Sequence, residues 1–171
     1  MSTPNTPTDR IRAATVTDVA VILELIEALA EFEKLEDQVV ATELLLREQL
    51  FGSNPPAEVI ICEMFENGAW HNAGFALFFT SFSTFLAKPG LYLEDLFIRP
   101  ELRSRGLGKK MLGELARIAV QRGCGRLEWS VLDWNSRARS FYESLGAEPL
   151  TEWTVHRLTG QALQNLSRFE S

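Results

Sequence analysis

Leu91-Tyr92-Leu93-Glu94-Asp95-Leu96-Phe97-Ile98-Arg99-Pro100, with Arg103-Ser104-Arg105-Gly106-Leu107-Gly108 close behind it, is the stretch that decides the fold. The apolar run from Leu91 to Ile98 reads as a strand. Beyond the Gly106-x-Gly108 turn, Met111, Leu115, Ile118 and Ala119 recur at helical spacing, so the turn joins a strand to an amphipathic helix. Two adjacent acids inside such a strand are costly unless water, a partner or a site receives them. Strand alternation sends Glu94 and Asp95 to opposite faces, and at least one of them must escape the core.

The glycine turn has two familiar competitors, and both fail. An NTPase phosphate loop needs Gly where Arg103 stands and Ser or Thr where Lys110 stands. A dinucleotide fingerprint needs a third Gly at Met111. What remains is Arg-x-x-Gly-x-Gly at the start of a helix. There successive backbone N–H groups can face an anion, with Arg103, Arg105, Lys109 and Lys110 adding positive charge.

Outward from this centre, the chain alternates strands and helices. Ile11 to Ala14 reads as a strand. Thr15 and Asp18 form a capping box for a helix carrying Val19, Ile22, Leu23, Ile26 and Leu29 on one face, to about Phe32. A second helix is expected from Thr42 to Leu50. Strands follow at Val59 to Phe65 and Ala73 to Thr80, with a turn at Asn67-Gly68 and a break at Lys88-Pro89-Gly90. Later, Leu127 to Leu132 reads as a strand and Asn135 caps a helix from Ser136 to Leu145. Gly146 is its left-handed end, and Thr151 to Leu158 is a last strand. The expected architecture is α/β: a single mixed sheet with helices on both faces, over residues 10–171, behind a disordered lead-in at 1–9.

Composition removes several function classes. The 171 residues are 46% hydrophobic and 23% charged, the balance of a soluble globular protein. A formal net charge of -6 argues against nucleic acid and is compatible with a cationic partner. No apolar run is long enough for a membrane span. Cys62 and Cys124 have no CxxC spacing and read as buried reduced thiols, which fits the cytoplasm. His71 and His156 are isolated, so no metal site and no catalytic triad is expected.

The second constellation is Asn135 followed by Phe141-Tyr142-Glu143-Ser144-Leu145-Gly146. Paired with Arg103-x-x-Gly106-x-Gly108, it resembles the GNAT N-acetyltransferase superfamily across residues 10 to 158. That resemblance implies acetyl-CoA as co-substrate, with its pyrophosphate on Arg103, Ser104, Arg105, Gly106, Leu107, Gly108 and Lys109. It also implies coenzyme contacts at Leu96, Phe97, Ile98, Asn135, Phe141 and Tyr142. A backbone N–H on Leu96–Ile98 would face the thioester oxygen, and Tyr142 would lie beside the sulfur.

Leu29-Ala30-Glu31-Phe32-Glu33-Lys34, Gly74-Phe75-Ala76 and Leu91-Tyr92-Leu93-Glu94-Asp95 further resemble the diamine and thialysine acetyltransferase branch. There the residues matching Glu33, Glu94 and Asp95 lie near the amine. Polyamine-acetylating members resemble Asp-Pro-Trp where this chain has Ser83-Thr84-Phe85, which is closer to the thialysine type. The resemblance also implies a homodimer, the usual state of such members, and Trp153–Leu158 offers an apolar surface for one. Glu36 and Asp37 are weaker candidates beside Glu33.

The chemistry asks for a base and an acid. A lysine-type amine with a pKa near 10.4 leaves roughly one molecule in 2,500 uncharged at pH 7. Glu94 is therefore the candidate base, directly or through water, or an electrostatic anchor for the ammonium. Tyr142 is the candidate acid for the departing thiolate. The alternatives are a protein lysine or N-terminal acetyltransferase, and a non-catalytic acyl-CoA-binding module.

Overall fold

The computed structural model describes residues 8–168, and the chain divides into two compact units, Met1–Ser130 and Val131–Ser171. Of the expected lead-in, residues 1–7 lie outside the described residues, and Asp9 already belongs to the first strand.

The first unit holds one five-stranded sheet. Its strands are β1 (Asp9–Ala13), β2 (Glu58–Glu66), β3 (Ala69–Ser83), β4 (Lys88–Ile98) and β5 (Leu127–Trp129), side by side in that order. The first three pairings are antiparallel and the β4–β5 pairing is parallel. A parallel neighbour needs a crossover, and α3 (Leu107–Gln121) supplies it. Helices α1 (Val19–Glu33) and α2 (Glu43–Phe51) precede β2.

Each element starts and stops for local reasons. The Thr15 amide donates to the Asp18 carboxylate at 2.7 Å, completing the expected capping box ahead of α1. Helix α1 ends at Lys34, whose φ of 61° turns the chain left-handed while Leu35 N–H donates to Ala30 O. Thr42 caps α2 through its hydroxyl, which accepts from Leu45 N–H.

Helices α1 and α2 cover one face of the sheet. Ile22, Leu25 and Leu50 pack there on Val59, Ile61, Phe75 and Phe97. Fully burying side chains of this size contributes about 1.5–3 kcal/mol each. Alternation sends Cys62, Phe78 and Leu93 to the opposite face, where α3 buries Leu107, Met111, Leu112, Leu115 and Ala119. The Arg122 guanidinium just after α3 lies 5.9 Å from the Phe78 ring. A mixed sheet with helices on both faces is therefore present in this unit.

Cys62 is fully buried and its thiol is pushed up to about 11, chiefly by burial. Cys124 is only half-buried. The described residues contain no helix long and apolar enough to cross a membrane.

Three local expectations are corrected. Lys88-Pro89-Gly90 is no break: it pairs with Ser83, Phe82 and Ser81 inside β4. Pro89 is tolerated because its carbonyl, and hence its missing N–H, faces away from β3; that carbonyl accepts from Gly125 N–H at 2.8 Å. Strand β5 stops at Trp129 rather than Leu132. Thr151 to Leu158 forms no strand, because its alternating pattern finds no ladder partner among the described residues.

The second unit holds α4 (Ser136–Ser144) and α5 (Gly160–Ser167). The Asn135 side chain accepts from Ala138 N–H at 3.1 Å, as expected of a cap. Gly146, at φ 89°, closes the end of α4. Helix α5 is not anticipated by the sequence reading.

Candidate functional site

A one-residue irregularity in β4 shapes the centre of the first unit. Leu77 pairs with Asp95 and Phe78 with Leu93, so Glu94 is an extra residue, a β-bulge. The bulge reverses which backbone groups face β3. Before it, Leu91 N–H points toward β5 and donates to Arg126 O; after it, Arg99 N–H points to β3 and donates to Ala73 O. By alternation, the N–H and C=O groups of Leu96 and Ile98 turn away from β3. The β4–β5 pairing ends at Leu93–Trp129, so these groups have no ladder partner within the sheet. The Ile98 carbonyl accepts from Arg103 Nε at 2.9 Å.

The glycine turn follows directly. Ser104 and Gly106 both take left-handed backbone, with φ of 65° and 82°, turning the chain twice within three residues. Gly106 is the N-cap of α3, and the first helical bond runs from Lys110 N–H to Gly106 O. The amides of Leu107, Gly108 and Lys109 thus have no intrahelical acceptor and point out of the helix. A Cβ placed on Gly106 would meet nothing within 4 Å, so the space over this terminus is open. The aligned dipoles of α3 add positive potential at the same point.

Three of the four basic side chains around the turn are engaged by other groups. Arg103 stacks over the Phe32 ring at 4.3 Å, with Phe97 at 5.5 Å. Arg105 pairs with Glu66 at 2.8 Å, and Lys110 with Asp9 at 2.6 Å. Lys109 is exposed.

The acidic side of the site gathers on the α1 face. Asp95 shares that face with its pair partner Leu77, while bulged Glu94 is exposed. Burial, reinforced by the charges of Glu94 and Glu33, raises the Asp95 carboxyl to about 6. Glu33, the last residue of α1, is raised by burial as well, and a carboxylate there also opposes the helix dipole. Among the described residues no cation pairs with Glu33, Glu94 or Asp95. The three acids expected near an amine are thus one electrostatic cluster. Glu31 and Glu36 instead line a separate open hollow of about 670 Å³ with Glu24 and Glu27.

In the second unit, Tyr142 and Phe141 sit on α4 with ring centroids 5.5 Å apart and tilted 48°. Both are half-buried, and the Tyr142 carbonyl accepts from Leu145 and Ala147 N–H at the helix end.

Sequence reasoning missed Phe32, which ties the glycine turn to the end of α1. Its place immediately before Glu33 at the edge of the apolar stripe was the available signal. No group of three or more His, Cys, Asp or Glu side chains placed to hold a metal occurs among the described residues.

Residues 23–147 match the profile described as the acetyltransferase (GNAT) family. The chain is 38% identical to a thialysine N-epsilon-acetyltransferase of Bos taurus, over 92% of this chain and 96% of that protein. It is equally 38% identical to the L-ornithine N5-acetyltransferase NATA1 of Arabidopsis thaliana, over 93% and 88%. An integron cassette protein from the mobile metagenome of V. cholerae superposes with a TM-score of 0.79 at 25% identity, covering 96% of this chain and all of that one. With well over half its length matched and the strand-turn-helix site in place, the protein belongs to the acetyltransferase (GNAT) family and is an N-acetyltransferase.

Proposed function

We propose that the protein transfers an acetyl group from acetyl-CoA to the amino group of a small cationic amine of the thialysine, ornithine or lysine type. The observation that carries this reading is the unpaired cluster of Glu33, Glu94 and Asp95 beside the open edge of β4. Relatives named for thialysine and ornithine acetylation support the choice of amine.

The residues present fit acetyl-CoA. The free amides of Leu107, Gly108 and Lys109, with the turn at Ser104 to Gly106, suit a pyrophosphate. The outward N–H groups of Leu96 and Ile98 suit the pantetheine and the thioester carbonyl, where a donor offsets negative charge as it develops on oxygen. When bound, the co-substrate supplies the activated acetyl group. The carboxylates hold the ammonium and lower the cost of bringing it into a partly dry site. Asp95, near 6, is matched to proton removal near neutral pH, and exposed Glu94 can pass the proton out through water. Tyr142 donates to the leaving sulfur. No covalent enzyme intermediate is needed, so Cys62 has no part in the chemistry. A homodimer belongs to the same proposal, with Trp153 and Val155, 74% and 78% exposed, available at its surface.

Gly106→Val should raise the KM for acetyl-CoA by about tenfold or more and the KM for the amine by much less. The added branches strain a left-handed residue and crowd the helix terminus. Equal rises in both constants would remove the pyrophosphate from this turn.

The acidic cluster gives a pH test. A cationic amine binds the ionised form of Asp95, so its KM should rise as pH falls through about 6. The stability effect runs the other way. A carboxyl raised in the fold destabilises it fully above about 6 and not below its unfolded value near 3.9. Asp95→Asn should therefore stabilise the free protein at pH 8, by about 3 kcal/mol, and leave it unchanged at pH 3.5. The same variant should abolish the pH dependence of the amine KM. Persistence of that dependence in Asp95→Asn would assign it to another group.

A further inference from the structure

The bulge at Glu94 does more than expose one acid. Because Leu77 pairs with Asp95 and Phe79 with Tyr92, the bulge keeps Asp95 and Tyr92 on the same face of β4. Without it, three residues apart on a strand would put them on opposite faces. The helix-covered core on this face takes in Phe97, Phe75 and, at its margin, Leu77, but neither Phe79 nor Tyr92. Beyond the end of α1, the sheet thus offers a half-buried aromatic pair, Phe79 and Tyr92, with centroids 5.1 Å apart. The Tyr92 hydroxyl is held by Ser130 at 2.8 Å, which fixes the ring against rotation out of the sheet face.

We propose that Phe79 and Tyr92 are specificity-determining residues: an aromatic floor that receives the alkyl chain of the amine whose ammonium is held by Glu33, Glu94 and Asp95. This inference rests on the small-amine reading of the same site. Charge complementarity selects the occupant, since three carboxylates without a cation flank one end of an otherwise apolar floor. A neutral apolar guest would leave those charges unpaired. Two strand residues span about 7 Å, so an ammonium at Asp95 lays about four or five methylenes across the rings. The floor therefore favours primary amines on an unbranched chain of that length over shorter ones, whatever polar group the far end carries. Ring faces attract polarised methylenes next to an ammonium as well as the cation itself.

The test uses the full-length protein with saturating acetyl-CoA and the series from ethylamine to hexylamine, with thialysine alongside. In the unaltered protein kcat/KM should climb about threefold to fourfold per methylene, as for burial of each CH₂, and level off near pentylamine. Tyr92→Ala and Phe79→Ala should each flatten that slope, lowering kcat/KM for pentylamine by about tenfold and for ethylamine by less than about twofold. Tyr92→Phe keeps the ring and should keep the slope. The KM for acetyl-CoA and the unfolding midpoint report whether each variant folds, and Phe79→Ala serves if Tyr92→Ala does not. A flat profile in the unaltered protein, or equal losses for all amines in the alanine variants, overturns the floor. Turnover of neither thialysine nor any alkylamine overturns the small-amine reading beneath it.

Discussion

Replacing Tyr142 with Phe is expected to lower kcat by about 100-fold or more, with the KM for acetyl-CoA held within about twofold. The substitution removes one oxygen and keeps the ring, so α4 and its contact with Phe141 survive. What is lost is a donor. A leaving thiolate whose conjugate acid lies near 8.5 departs far more readily when protonated as the C–S bond breaks, and a phenol near 10 can supply that proton at neutral pH. A role limited to packing would move the unfolding midpoint instead and leave kcat largely intact. Steady-state rates from pH 6 to 10 decide between them. In Tyr142→Phe the loss of kcat should hold across that range, because the phenylalanine ring has no proton to give at any pH. Unchanged turnover across the range would remove Tyr142 from the chemistry.

The second large effect lies away from the site. Arg12→Met is expected to cost about 3 kcal/mol of stability. The Arg12 guanidinium on β1 makes two bonds of 2.8 Å to Asp18, one to each carboxylate oxygen, and two of 3.1 Å to Glu63. Asp18 and Glu63 are only 7% and 6% exposed, so removal of the guanidinium strands buried charge. Arg10 still reaches Glu63 and the Thr15 amide still reaches Asp18, which keeps the loss below that of a fully orphaned pair.

The pH dependence identifies the cause. Bonding to Arg12 lowers the Asp18 carboxyl to about 2. That stabilisation is complete above the unfolded value near 3.9 and disappears as pH falls through about 2. Thermal unfolding should thus show the variant about 6–12 °C below the parent at pH 7, with the gap narrowing between pH 4 and pH 2. A gap independent of pH would point to lost packing of the Arg12 stem.

How much of this was legible in the residues varies with the range of the forces involved. The capping box at Thr15 and Asp18, the cap at Asn135 and the turn at Gly106 are local, and each stands where the sequence puts it. Glu94 and Asp95 were legible as costly acids. Their division into one exposed and one half-buried group was not, because a bulge depends on the pairing of β3 with β4. Pro89 looked like a break because sequence cannot say which side of a strand a missing N–H faces.

The alternating Trp153 to Leu158 stretch shows the converse, for a strand pattern makes no strand without a partner. Helix α5 escaped notice because it starts at Gly160 and repeats only Leu163 and Leu166 on its apolar side. Arg103 reads from its motif as a phosphate ligand, yet its side chain lies on Phe32, 71 positions earlier in the chain. Long side chains follow tertiary neighbours, and local sequence does not name those.

Acetyl transfer from acetyl-CoA to a small cationic amine can be followed directly through the thiol it releases. The most direct measurement is thiol release from acetyl-CoA in the presence of thialysine, lysine, ornithine, putrescine, spermidine, spermine and a lysine-containing peptide, each tested separately. The expected result is rapid release with thialysine or its lysine- and ornithine-type neighbours, and little with spermine or the peptide. Release with spermine or the peptide but none with thialysine, or no release with any of them, would contradict the account.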